Sequence, residues 1–291
     1  MAKLSLIQVP YHYGFSQARV GAGRGPLRYI EAGAQRNLQN LGFDVTVRTI
    51  ERRGLTNETP VAVAEGNALL AAQVREAVAL GSFPLVLSGG CNACLGVLGG
   101  LGSRVGIIWF DAHGDFNTPE TTPSGFFDGM PLAVATGLCF REVWEEITSA
   151  PPVPPSQALL VGARDLDPGE RENIARHSVL FVPASEIRDR GATAALGENL
   201  ERLRSRVEEI YLHFDIDVLD PTLAPGVDYR APGGLSLEAA EEAIRLIAAR
   251  FRVRAASLTA YNPDHEQDDR TLRSGLRLLA LLASTGRSQQ A

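Results

Sequence analysis

Two short stretches concentrate side chains that can hold cations. Trp109-Phe110-Asp111-Ala112-His113-Gly114-Asp115 ends an apolar run in three ligand types spaced by two. In extended chain, residues i, i+2 and i+4 share a face, so Asp111, His113 and Asp115 can converge on one point. His213-Phe214-Asp215-Ile216-Asp217 repeats the device after another apolar run. Crowded carboxylates raise one another's pKa unless cations neutralise them. One Asp-x-Asp is as readily a helix cap or an arginine partner. Two of them, each directly after a strand, point to metal. Oxygen ligands with one imidazole suit Mn²⁺ best, with Fe²⁺, Ni²⁺ or Zn²⁺ as other divalent choices. Carboxylates able to bridge favour a two-metal site that activates a shared water.

These residues need strands to position them. Apolar runs at 4–9, 43–50, 84–87, 105–110, 158–161, 179–182, 210–214 and 255–260 read as strands. Amphipathic segments at 61–80, 192–207, 237–249 and 270–283 read as helices. Such alternation predicts an α/β fold, a mostly parallel sheet with helices on both faces. The site then belongs at the carboxyl ends of the strands. The Pro-rich stretch 150–155 is short enough for a loop, so residues 1–291 read as one domain, with 284–291 a polar, frayed tail.

A net charge of −6 and a pI near 5.5 argue against nucleic acid or an anionic membrane as partner. Three cysteines do not make a secreted disulfide framework. No apolar run reaches the roughly 18 residues of a membrane span, and the N-terminus carries no leader pattern. A soluble cytoplasmic enzyme with a small-molecule substrate is the expectation.

The motifs resemble those of the arginase (ureohydrolase) family over most of the chain. Asp111–Asp115 and the segment 214–221 look like two of its metal signatures, 117–125 is similar to its substrate loop, and 161–170 to the segment that contacts the substrate amino group. Residues 21–28 look like its glycine-rich segment. The resemblance implies one three-layer domain with an eight-stranded, mostly parallel sheet, and two Mn²⁺ per chain. It implies that Asp111 and Asp215 bridge the ions, that Asp115 completes the first, and that His113 and Asp217 complete the second. Asn117 and Ser124 would hold the substrate α-carboxylate, and Asp167 with Glu170 its α-amino group. Family members usually assemble, so a homo-oligomer is open.

Three positions depart from working arginases. In Gly89-Gly90-Cys91-Asn92-Ala93, Asn92 is read at the place of the histidine that ligates the first metal, which predicts a weak first site. His213 or a Cys91 thiolate could substitute, the latter favouring a softer ion. Asp128 stands where the family has a proton-shuttling histidine. Ala260 replaces the glutamate that would bind the guanidinium. Asp115 and Asp128 are therefore the expected catalytic pair, Asp128 as proton relay or substrate clamp. The favoured activity is hydrolysis of the guanidino or amidine group of an arginine-like amino acid, such as N-hydroxyarginine, to a urea-type product and an amine such as ornithine. The alternative is an impaired descendant that binds an amino acid or stabilises a partner subunit. A third reading takes Cys91-Asn92-Ala93-Cys94 as a redox C-x-x-C.

Overall fold

In the computed structural model, which describes residues 1–52, 59–102 and 105–287, all eight apolar runs form strands. They are β1 (Ala2–Val9), β2 (Phe43–Thr49), β3 (Phe83–Ser88), β4 (Gly106–Phe110), β5 (Ala158–Val161), β6 (Leu180–Val182), β7 (Glu209–Asp215) and β8 (Arg252–Thr259). They lie side by side in one sheet, in the order β2-β1-β3-β8-β7-β4-β5-β6. Every neighbouring pair is parallel, so the sheet is wholly rather than mostly parallel. Parallel neighbours need long crossovers, which is why helices punctuate the chain. Thr59–Ala79, Ala192–Arg204, Leu237–Ala248 and Arg270–Thr285 match the four predicted helices. Thr285 is buried in the last of them, so helix occupies the first two residues of the segment read as frayed; 288–291 lie outside the described residues.

Both sheet faces are covered, which explains why the strands lack polar alternation. On one face Leu6, Leu85, Phe110, Leu212 and Leu258 pack with Leu196, Ile244 and Leu278 of three helices. On the other, Ile7, Val86, Trp109 and Tyr211 pack with Leu70, Val74, Leu95 and Leu98. Burying each such side chain contributes roughly 1.5–3 kcal/mol, enough in sum to offset a polar row at the sheet's end.

That row follows from register. Ser88 pairs with Thr259, Thr259 with Asp215, and one layer below Ser257 pairs with His213 and His213 with Trp109. The central strands β3, β8 and β7 thus end in Ser88, Thr259 and Asp215, and Asp111 directly follows β4. Among the described residues, no helix is long and apolar enough to cross a membrane.

Candidate metal centre

Asp111 leaves β4 with both carboxylate oxygens engaged. Its Oδ1 accepts from the His113 amide at 2.7 Å, and its Oδ2 from the Trp109 indole at 3.1 Å. His113 Nδ1 lies 3.2 Å from Asp111 Oδ1 and 3.1 Å from Asp217 Oδ2. Asp215 Oδ1 accepts from the Asp217 amide at 2.8 Å, while Asp217 Oδ1 accepts from the Ala112 amide at 3.0 Å. The loops after β4 and β7 are therefore stitched through their own acids. Asp115 arrives differently from the extended run expected: its φ is +50°, a left-handed turn. Gly114 permits this approach, because a Cβ there would sit 2.5 Å from the Glu170 carboxyl carbon. Backbone strain of this kind costs about 1–3 kcal/mol and gathers at functional sites.

The structure brings Cys91, not Asn92, to the acids. Cys91 Sγ donates to Asp215 Oδ2 at 3.0 Å and lies 3.8 Å from Asp111 Oδ2. Asn92 instead faces a wall formed with Val9, Tyr11, Gly14, Phe15 and Asp128. The reason is local: the chain leaves β3 through Gly89-Gly90 and enters the helix Ala93–Leu101, so adjacent side chains diverge. Asn92 is thus corrected from candidate ligand to a neighbour of Asp128. Burial pushes the thiols of Cys91 and Cys94 well up, the reverse of a redox C-x-x-C.

Two ligand groups result. Cys91, Asp111 and His213 form one, Asp111, His113 and Asp217 the other, each with its donor atoms within 4.8 Å of one another. Asp111 belongs to both. Burial and then Asp217 raise Asp111 to about 6 and also raise Asp215; burial and then Asp111 raise Asp115. Burial opposes the charge on His113, but Asp217 and Asp111 outweigh it and hold the imidazolium. The Asp115 Oδ2 atom is buried without a hydrogen-bond partner among the described residues. A donor set of this kind, overcharged and partly unpaired, fits divalent cations.

A cleft of about 410 Å³ opens above these acids. Asn117, Ser124, Asp128, Asp167, Glu170 and Ala260 all line it. Asn117 donates to Asp167 at 2.9 Å, Glu170 accepts from the Phe116 amide at 2.8 Å, and the Ser124 hydroxyl accepts from the Phe126 amide at the exposed rim. Ala260 presents only a methyl group, on a residue with φ +66°. Asp128 is buried, with Oδ2 accepting from the Gly14 amide at 2.7 Å and Oδ1 lacking a partner among the described residues.

Burial raises Asp128 to about 7, and Glu170 likewise. The unfolded chain has released the Asp128 proton by about pH 5, while the folded chain keeps it to about 7. The folded state binds more protons in that window, so stability falls as pH rises from about 4 to 7. In chelator, Asp128→Asn should lose part of the melting-temperature drop between pH 5 and 8. An unchanged drop would show that Asp128 ionises normally.

Sequence reading missed two supports. Arg164, next to the predicted substrate acids, donates to the carbonyls of Gly162, Asp217, Val218, Leu219 and Ala231. At the cleft mouth, Asp228 accepts from Tyr13 Oη at 2.9 Å and Asn262 Nδ2 at 2.7 Å, with His265 Nε2 at 2.9 Å. No local spacing signals either; only Arg164's place in the 161–170 motif hinted at it.

Acids crowded at the carboxyl ends of the central strands of an all-parallel, helix-covered sheet make a candidate metal centre of an α/β protein. The arginase family model matches residues 2–284. An arginase from Bacillus caldovelox is 33% identical over 295 residues, covering 97% of this chain and 98% of its own. A crystal structure of Bacillus subtilis arginase superposes with a TM-score of 0.88 at 32% identity, covering 97% of this chain and 98% of that one. Entamoeba histolytica arginase, solved with L-ornithine, gives 0.86 at 27% identity, covering 97% and 98%. The chain belongs to the arginase family. It is a hydrolase of carbon–nitrogen bonds in linear amidines, and manganese is general to that family.

Proposed function

We propose that this chain hydrolyses an arginine-like amino acid whose guanidino group is modified, N-hydroxyarginine being the first candidate. The observation that carries the reading is one cleft lined by Cys91, Asp111, His113, Asp115, Asp215 and Asp217 and also by Asn117, Ser124, Asp167 and Glu170. Asp111, His113, Asp115, Asp215 and Asp217 would hold two divalent ions, manganese being the metal general to the family. Asn117 and Ser124 donate to the substrate carboxylate; Asp167 and Glu170 accept from its ammonium group. Such ions supply a water of lowered pKa as nucleophile and polarise the amidine.

The chain's own groups do the rest. Asp115, with an oxygen free for a new bond, orients the attacking water and takes its proton. Asp128, raised to about 7, gives its proton to the departing nitrogen as the carbon–nitrogen bond breaks, leaving a urea-type product and ornithine. Ala260 offers no anion to a full guanidinium, while a protonated Asp128 can hydrogen-bond a less basic N-hydroxyguanidine.

Metal-loaded protein assayed against arginine, N-hydroxyarginine, agmatine and guanidino acids tests this. N-hydroxyarginine should be turned over faster than arginine, and agmatine, which lacks the carboxylate, poorly. No turnover on any of them, at full metal occupancy, would favour an amino-acid-binding or partner-stabilising role instead.

A further inference from the structure

His213 lies directly beneath the acids and is fully buried. Its ring stacks on Trp109, with centroids 3.6 Å apart and planes 11° from parallel. Its Nδ1 meets two hydroxyls, Tyr211 Oη at 2.9 Å and Ser257 Oγ at 3.1 Å, which are themselves 2.6 Å apart. Its Nε2 has no hydrogen-bond partner among the described residues. A buried polar atom left unpaired costs about 1–3 kcal/mol, so an otherwise well-bonded ring with one bare nitrogen needs a reason. A ring nitrogen of His213, Cys91 Sγ and an Asp111 oxygen lie within 4.8 Å of one another, close enough to share one ion.

We propose that His213 Nε2 and Cys91 Sγ are both ligands of the first metal position, making it a nitrogen–sulfur–carboxylate site that prefers Zn²⁺, Fe²⁺ or Co²⁺ to Mn²⁺. This builds on the metal-dependent reading above but does not depend on the substrate. The hydroxyl pair on Nδ1 fixes the ring's orientation and tautomer, as outer partners of ligating histidines do. With Nδ1 engaged by the two hydroxyls, Nε2 is the nitrogen left to ligate, and a neutral imidazole is the ligating form. A cysteine ligates as its thiolate, so a cation bound there displaces the thiol proton. Thiolate and imidazole donors favour later, softer ions over manganese, whereas the second group, Asp111, His113 and Asp217, keeps mainly hard oxygen donors. The two positions should therefore differ in metal preference.

The test is spectroscopic and independent of turnover. Metal-free protein titrated with Co²⁺ should develop a near-ultraviolet sulfur-to-cobalt charge-transfer band. Cys91→Ser should abolish the band, and His213→Gln should weaken affinity for that ion about 10-fold or more while circular dichroism stays unchanged. Competition between Zn²⁺ and Mn²⁺, read by elemental analysis, should fill one position per chain with zinc first. Should His213→Gln fail to fold, X-ray absorption of wild-type protein carrying one Zn²⁺ decides, with one sulfur and one imidazole in its shell expected. A cobalt complex without the sulfur band, or a zinc shell without sulfur, overturns the proposal. So does manganese displacing zinc at both positions. A His213→Gln protein with unchanged affinity overturns the histidine's part. Loss of hydrolysis alone, with these spectra intact, would count against the substrate reading only.

Discussion

Asp111→Asn is expected to keep its fold and lose both metal binding and hydrolysis. Asp111 is shared by the two ligand groups, so neutralising it weakens both positions at once. Changing one outer partner of a metal ligand typically costs about 10–100-fold in affinity or activity; losing a shared ligand should cost about 10³-fold or more in kcat. The fold should survive for a stated reason. The asparagine oxygen can still accept from the His113 amide, leaving the Trp109 indole poorly paired at about 1–3 kcal/mol. Against that loss stands relief from burying one more acid among acids. Elemental analysis after dialysis should find little metal, and added Mn²⁺ or Zn²⁺ should raise the melting temperature of wild type only. A variant retaining two ions and near-normal turnover would refute the assignment of Asp111.

Ala260→Glu is expected to move the enzyme toward ordinary arginine. The position lines the cleft and is filled by a methyl group. A buried charge-assisted contact to a guanidinium is worth about 2–5 kcal/mol, so kcat/KM for arginine should rise by about 30-fold or more. A less basic N-hydroxyguanidine gains less, and the ratio of the two substrates should shift accordingly. Ala260 already carries its Cβ at φ +66°, so glutamate adds no new backbone clash of that kind. Ala260→Gly is the companion control: it should stabilise by about 1 kcal/mol without changing substrate preference. If both substrates change by the same factor, Ala260 does not set the choice between them.

Most of the fold was legible because a doubly buried parallel sheet writes itself as apolar runs, and β4 and β7 are such runs. Asp111 and Asp215 were legible because they follow or end apolar strands; Asp115 and Asp217 reach the site through a left-handed turn and a short 3-10 turn, which spacing does not show. Cys91 was legible only as one of two possible substitutes for the missing ligand, not as the side chain that faces the acids in place of Asn92. There the chain turns through Gly89-Gly90 into a helix, and a one-position difference reverses which side chain faces the acids. His213 sits where i, i+2 spacing from Asp215 puts it, yet only the sheet register reveals the Trp109 stack and the hydroxyls that fix its ring. The Asp228 network joins residues far apart in sequence, from Tyr13 to His265, and no local pattern encodes it.

Arg164 has a mechanical consequence. One guanidinium holds carbonyls at 217–219, beside the metal acids, and at Ala231, beside the cleft-lining Tyr229 and Arg230. Floor and rim are therefore fastened to a common post. Substitutions at Asp217 and at Tyr229 should not behave as independent perturbations, although their side chains serve different ends of the cleft. Double-mutant cycles across that pair should return a coupling energy in the wild-type background, and a smaller one once Arg164 is removed. Evolving a new rim on this enzyme would then disturb its metal chemistry, unless the arginine or its carbonyl partners were rebuilt as well.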